Sequence, residues 1–368
     1  MNKNVTRNSF FGSYTLSLKE HLLPLDGFRG LAVLLVLIYH FFPVFRVGWV
    51  GVDLFFALSG FLITGKLFEV KFGEADLNTY FRNRILRILP AYISILVITY
   101  LGIFLIPEER ITASMEQLKD LLPYYSTFTL NIWTSFEGWP LNIMLVHLWS
   151  VSTEIQFYLI WPLFIILIPS ARKGMMFCLL IMLLALVVRV LPGEEIGLHN
   201  IYRYSSLPAR FDSFAAGSLL FILFNAVDKQ ILKQVFRILL PLSGVAWLLA
   251  LGYMFPWHYS QDIVLKWGTL LNVICWMSLI GFTLLYSNGF LHRIFTGKAI
   301  VWMGRYSYGM YIFHLPVWII FEKLAAAGWI SGWLAGLAAI PVTMFAGFCS
   351  YHLVEKYFLS KKKKIAEN

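Results

Sequence analysis

Ten stretches of mostly apolar residues, separated by short polar segments, dominate this chain: 28–45, 49–68, 85–106, 148–168, 175–192, 211–226, 238–256, 267–287, 300–321 and 333–354. A run of about twenty apolar residues spans a bilayer when helical, and in lipid the backbone has to satisfy its own hydrogen bonds. The expected fold class is therefore an all-α polytopic membrane protein, a bundle of about ten transmembrane helices. The sixth stretch is the weakest, short and bracketed by Asp212 and Asp228. A mean hydropathy of +0.70 excludes an ordinary soluble domain.

The net charge of +10 does not point to nucleic acid, because the basic residues are dispersed between the apolar runs. Their distribution instead sets a topology. With the N-terminus inside, cytoplasmic segments hold 21 of the 30 Lys and Arg residues and outer segments hold 8. The positive-inside rule then places both termini in the cytoplasm. One domain is expected over residues 1–368, with a cytoplasmic segment 1–24, a basic cytoplasmic tail 355–368 and no appended soluble domain. The first segment lacks a clear small-residue cleavage site, so helix one is expected to be a retained anchor. The run Lys361 to Lys364 suits contact with anionic headgroups of the lipid bilayer. Cys178, Cys275 and Cys349 lie in separate apolar runs with no metal-ligand spacing, so neither a metal nor a disulfide framework is implied.

Ionisable side chains inside such runs are costly and are by default functional. Arg29 and His40 are eleven residues apart, almost three helical turns, and so share one face about 16 Å apart. Asp53 follows about one turn into the second run. In the fourth, His147, Ser150, Glu154 and Tyr158 form one polar stripe at spacings of three and four, and Ser307, Tyr311 and His314 do the same in the ninth. With the outer Arg210 and Asp212, the residues His40, Asp53, His147 and Glu154 are expected to converge in the outer half of the bundle. A buried ion-pair network that only holds helices together is the plainer reading of the same set. On the cytoplasmic side Arg82, Arg84 and Arg87 gather beside Lys66, Lys71 and Arg29, as topology requires and as a phosphate site would use. The long stretch 107–146 carries Tyr124, Trp133 and Trp139, suited to the membrane interface or to stacking on a sugar.

Three segments carry a family resemblance. Arg29-x10-His40 followed by GVDLFFALSGFLIT (Gly51 to Thr64), HLWSVSTEIQFY (His147 to Tyr158) and GRYSYGMYIFHLP (Gly304 to Pro316) resemble, in order, the acyltransferase 3 family of membrane O-acyltransferases. Arg210 and Asp212 resemble the Arg-x-Asp segment that the family places at this point. The resemblance implies a bacterial inner-membrane enzyme with no permanently bound cofactor. Its co-substrate would be acyl-CoA, most simply acetyl-CoA, with phosphates held by Arg29, Arg82, Arg84 and Arg87. The acceptor would be a hydroxyl of a surface glycan such as O-antigen, capsule, exopolysaccharide or peptidoglycan, of a lipid-linked sugar, or of a small molecule. His40 suits the general base, because an imidazole titrates near neutral pH, with Glu154 or Asp53 orienting it. His147, Ser150, Tyr158, Arg210, Asp212, Ser307, Tyr311 and His314 would support the acceptor side. Ser59 and Ser152 have no evident base at fixed spacing, which gives a covalent route little support. A transporter or flippase, and an acyltransferase facing the cytoplasm, remain alternative readings; no inverted repeat supports the first.

Overall fold

The computed structural model describes residues 10–11, 22–191, 196–253, 258 and 260–364. Among these there are ten helices long and apolar enough to cross a membrane. They are α1 (Leu23–Phe41), α2 (Val50–Lys71), α3 (Leu77–Phe104), α4 (Leu148–Leu167), α5 (Ala171–Val190), α6 (Leu207–Ala226), α7 (Lys229–Tyr253), α8 (Thr269–Leu285), α9 (Lys298–Ala326) and α10 (Gly332–Ser350). No strand occurs among the described residues.

Local chemistry sets several boundaries. Helix α1 ends at Phe41 because Pro43 disfavours the helical region for the residue before it. Helix α3 begins eight residues earlier than the apolar run suggests, where Asp76 caps it by accepting from the Thr79 amide at 2.8 Å. Its arginines therefore lie within the helix. At the end of α4 the Lys71 ammonium donates to the carbonyls of Ile165, Ile166 and Ile168, three groups a helix terminus leaves unpaired. Lys71 is thus absorbed by a helix end.

Packing is led by α1 against α9, α2 against α6, α9 against α10, and α5 against α6. Close approach depends on glycine where backbones touch. A Cβ on Gly217 of α6 would sit 1.8 Å from the Ala57 carbonyl of α2, and one on Gly304 of α9 would sit 1.8 Å from that of Asp26. Small residues let membrane helices approach in this way. Helix α6, the weakest run in sequence, belongs to the most buried span, while α7 belongs to the least buried. Its low apolarity comes from Arg210, Asp212, Ser213, Ser218 and Asn225, all buried. A helix surrounded by protein can carry polar groups that lipid would reject.

The stretch 107–146 is largely structured by short helices, Ala113–Asp120, Leu122–Ser126 and Leu130–Glu137. The last of these packs against α4 and against helix Ile196–Ser205.

Candidate active site

The polar residues separate into two cavities at opposite ends of the bundle. Near the end where α1 and α3 begin, a narrow cavity of about 90 Å³ is lined by Arg29, Arg84, Arg87, Ser59, Glu154 and Tyr158, with Ser150, Ser307 and Tyr308. Near the end where α1 finishes, a cavity of about 460 Å³ is lined by Tyr39, His40, His147, Trp139, Trp149, Tyr204 and Trp318. Val52 and Tyr311 line both, so these two side chains form a shared wall.

In the second cavity the histidines have fixed tautomers. His40 Nδ1 donates to the Val36 carbonyl at 2.9 Å, one turn back along α1. His314 Nδ1 donates to the Tyr311 carbonyl at 2.6 Å and His147 Nε2 to the Ile312 carbonyl at 3.0 Å. A ring nitrogen that donates to a carbonyl leaves the other as an acceptor. The His40 Nε2 lone pair is therefore available in the cavity. His314 lies between His40 and His147, each ring centroid 4.8 Å from its own, with the first ring tilted and the second edge-on to it.

The expected carboxylate partners of His40 lie elsewhere. Asp53 pairs with Arg210, both fully buried, and also accepts from Ser213 Oγ at 3.2 Å. Asp212 pairs with Arg189 at 2.6 Å, again fully buried. These ion pairs tie α2 and α5 to α6. The Arg210 guanidinium also lies over the rings of Trp49 and Tyr204, 5.9 and 5.2 Å from their centroids. Arg210 and Asp212 thus stand behind the aromatic wall instead of lining the cavity.

Glu154 is deeper than helix counting from the mouth of α4 places it. It accepts hydrogen bonds from Ser59 Oγ and Tyr158 OH and faces the arginine cavity. The stripe on α4 is continuous, but the α2 and α9 side chains divide it: His147 serves the histidine cavity, and Glu154 and Tyr158 serve the other. Ser150 Oγ meets Tyr311 OH at 2.5 Å, and Tyr311 OH donates to the His147 carbonyl at 3.2 Å, at the shared wall. Ser307 lines the arginine cavity, and His314 sits behind His40.

Of the four arginines expected together, Arg82 does not line the cavity. Arg29 pairs with Asp26 at 2.5 Å, whereas Arg84 and Arg87 have no ion pair among the described residues. Arg84 lies over the rings of Tyr80 and Tyr158, each centroid 5.9 Å away. Two guanidinium groups without an ion-pair partner among the described residues give this cavity donors of the kind that suit an anion.

Sequence reasoning missed four contributors. Arg189 falls, by sequence, among the eight basic residues of the outer segments, although an arginine ending an apolar run is itself a signal. Ser59 lacked a base only because Glu154 is 95 residues away. His258 Nδ1 accepts from the Ser260 amide at 3.2 Å, so its Nε2 donates to Tyr39 OH at 3.0 Å; it lines the histidine cavity, and no sequence pattern marks it. Trp139, suited in sequence to the interface or to a sugar, belongs to the cavity wall, edge-on to Tyr204 at 5.9 Å and tilted against Trp149 at 6.4 Å.

Fold and cavities together define a multi-pass membrane protein with an arginine-lined cavity and a histidine-lined cavity that share Val52 and Tyr311. The family profile described as an acyltransferase domain matches residues 23–352, and the chain belongs to this acyltransferase 3 family. It is 28% identical over 316 residues to the peptidoglycan O-acetyltransferase OatA of Listeria monocytogenes, covering 81% of this chain and 50% of that protein. It is 25% identical over 361 residues to the O-acetyltransferase OatA of Staphylococcus aureus, covering 91% of this chain and 57% of that protein. The chain thus spans about half the length of these relatives. No solved structure matches.

Proposed function

We propose that the chain is an O-acyltransferase of a bacterial cytoplasmic membrane, moving an acyl group, most simply acetyl, from acyl-CoA to a glycan hydroxyl. The observation that carries this reading is the pair of opposed cavities meeting at Val52 and Tyr311. The Lys and Arg bias puts the arginine cavity on the cytoplasmic side. Arg84, Arg87 and Arg29 then bind the donor's phosphates, and the acyl end is directed towards Tyr311. From the other side the acceptor hydroxyl approaches His40 Nε2, which takes its proton as the oxygen attacks the thioester carbonyl. The carbon–sulfur bond breaks, the thiolate leaves on the arginine side, and the proton returns to sulfur or solvent. Val36 fixes the His40 tautomer, the task assigned in sequence to a carboxylate. Glu154 instead holds Ser59 and Tyr158 against the donor. Similarity to the Listeria peptidoglycan O-acetyltransferase favours peptidoglycan as the acceptor class over O-antigen or exopolysaccharide.

The test is acyl-CoA turnover by the purified chain in nanodiscs, comparing the native protein with His40→Ala and Glu154→Gln at matched folding. Acceptor-dependent release of CoA that collapses in His40→Ala is the expected result. A native protein that neither binds nor consumes acyl-CoA overturns the proposal.

A further inference from the structure

The histidine cavity has an unusual charge balance. Among the described residues no Asp or Glu lines it, and the one fully charged side chain in its lining is Arg46, between α1 and α2. Other cations have carboxylate partners: Arg189 pairs with Asp212, Arg210 with Asp53, and Arg203 and Lys266 share Asp262. No carboxylate among the described residues lies within ion-pair distance of Arg46. The adjacent rim residue, His258, cannot supply the missing negative charge. Its imidazole is held below its ordinary pKa by burial and then by the Arg46 charge, so it stays neutral. The wall opposite is aromatic, with Trp149 and Tyr204 rings 4.9 Å apart.

We infer that this cavity selects a sugar acceptor bearing an anionic group, a carboxylate or a phosphate, that Arg46 binds while the aromatic wall takes the sugar face. The inference rests on the acyltransferase reading for the identity of the cavity as the acceptor site. An aromatic wall gives apolar contact to the flat face of a pyranose but supplies few polar groups for its hydroxyls. Arg46 is exposed at the cavity rim, so its guanidinium is open to an anionic group on a bound sugar with no described carboxylate competing for it. An arginine matches a carboxylate or a phosphate with two parallel hydrogen bonds. At about 460 Å³ the cavity is within the usual range of small-molecule sites, roughly 300–1,000 Å³. The same guanidinium chemistry would suit a lipid headgroup phosphate at the rim, so the test separates the two sources.

The probes are a muramic-acid disaccharide with its lactyl carboxylate free and the same disaccharide as the lactyl amide. Binding to the full chain is measured in nanodiscs of zwitterionic lipid and again with anionic lipid added. CoA release is followed in parallel. The expected result is at least tenfold tighter binding of the acid than the amide. Arg46→Gln should remove that preference by weakening acid binding alone, and Arg46→Lys should restore part of it. Equal binding of both probes by the native chain, or an Arg46→Gln effect equal for both, overturns the inference. So does an Arg46-dependent loss of probe binding on adding anionic lipid with no acid-over-amide preference, which assigns the arginine to headgroups. Binding reads the anion site and CoA release reads the chemistry. An acid preference without CoA release therefore supports the Arg46 site and counts against acyl transfer, while CoA release without the preference does the reverse.

Discussion

Replacing Asp53 by Asn tests whether the buried carboxylate belongs to the scaffold or to the chemistry. The Asp53 and Arg210 side chains are both fully inaccessible, and Asp53 Oδ1 takes both the guanidinium and the Ser213 hydroxyl. Two unit charges 4 Å apart at an effective dielectric of 20 attract by about 4 kcal/mol. Removing one partner of a buried pair typically costs about 3–5 kcal/mol, because the other charge stays in the interior uncompensated. Asp53→Asn and Arg210→Gln are each expected to lower the unfolding free energy by about that amount, measured by SDS titration in mixed micelles. The double variant leaves no stranded charge. Its cost should fall short of the sum of the singles by about 3 kcal/mol, the upper end of usual coupling energies. The pH dependence of whatever turnover remains should be unchanged, since neither group touches His40. Full stability in Asp53→Asn, additive costs in the double variant, or an altered pH profile would refute this reasoning and return Asp53 to the imidazole.

Three further outcomes follow from particular contacts. Arg84→Gln and Arg87→Gln should each raise KM for acyl-CoA about tenfold with little change in kcat, the loss of roughly 1.4 kcal/mol of phosphate binding; unchanged KM in steady-state assays would remove the phosphates from that cavity. Gly217→Ala puts a methyl group 1.8 Å from the Ala57 carbonyl and should destabilise by about 1–3 kcal/mol in thermal melts, whereas a melting temperature equal to the native value would mean that α2 and α6 can part freely. Because His258 has a depressed pKa in the folded state, the bond its neutral Nδ1 accepts from the Ser260 amide is fully present above the ordinary value of about 6.5. Below that pH the opened state takes up the proton first, so the hydrogen-exchange protection factors of residues 260–266, with the pH dependence of intrinsic exchange removed, should fall between pH 7.5 and 5.5 in the native chain and not in His258→Gln.

Much of this arrangement is legible in the sequence because helical periodicity acts within one element. Eleven residues on α1 suffice to put Arg29 in one cavity and His40 in the other. Depth and partnership are not local properties. Glu154 meets Ser59 across 95 positions and Arg210 meets Asp53 across 157, and nothing in either segment names the other. Apolarity likewise misjudges α6, since a helix enclosed by protein can carry paired charges and a helix facing lipid cannot. The aromatics of 107–146 divide the same way. Trp139 enters the cavity wall because helix Leu130–Glu137 docks on α4, a tertiary contact invisible to composition.

The wall made by Val52 and Tyr311 has a consequence for the bilayer as an insulator. A passage open from one face to the other, wide enough for an acyl chain, would also conduct water and protons and drain the gradients a cytoplasmic membrane stores. Here Val52 and Tyr311 stand between the two polar spaces, and Tyr311 is tied to Ser150 and to the His147 carbonyl. On the proposed reading, with donor and acceptor each entering from its own side, only the acyl group would have to change compartments. It would do so by exchanging one bond for another, while the electrical seal of the membrane stays closed.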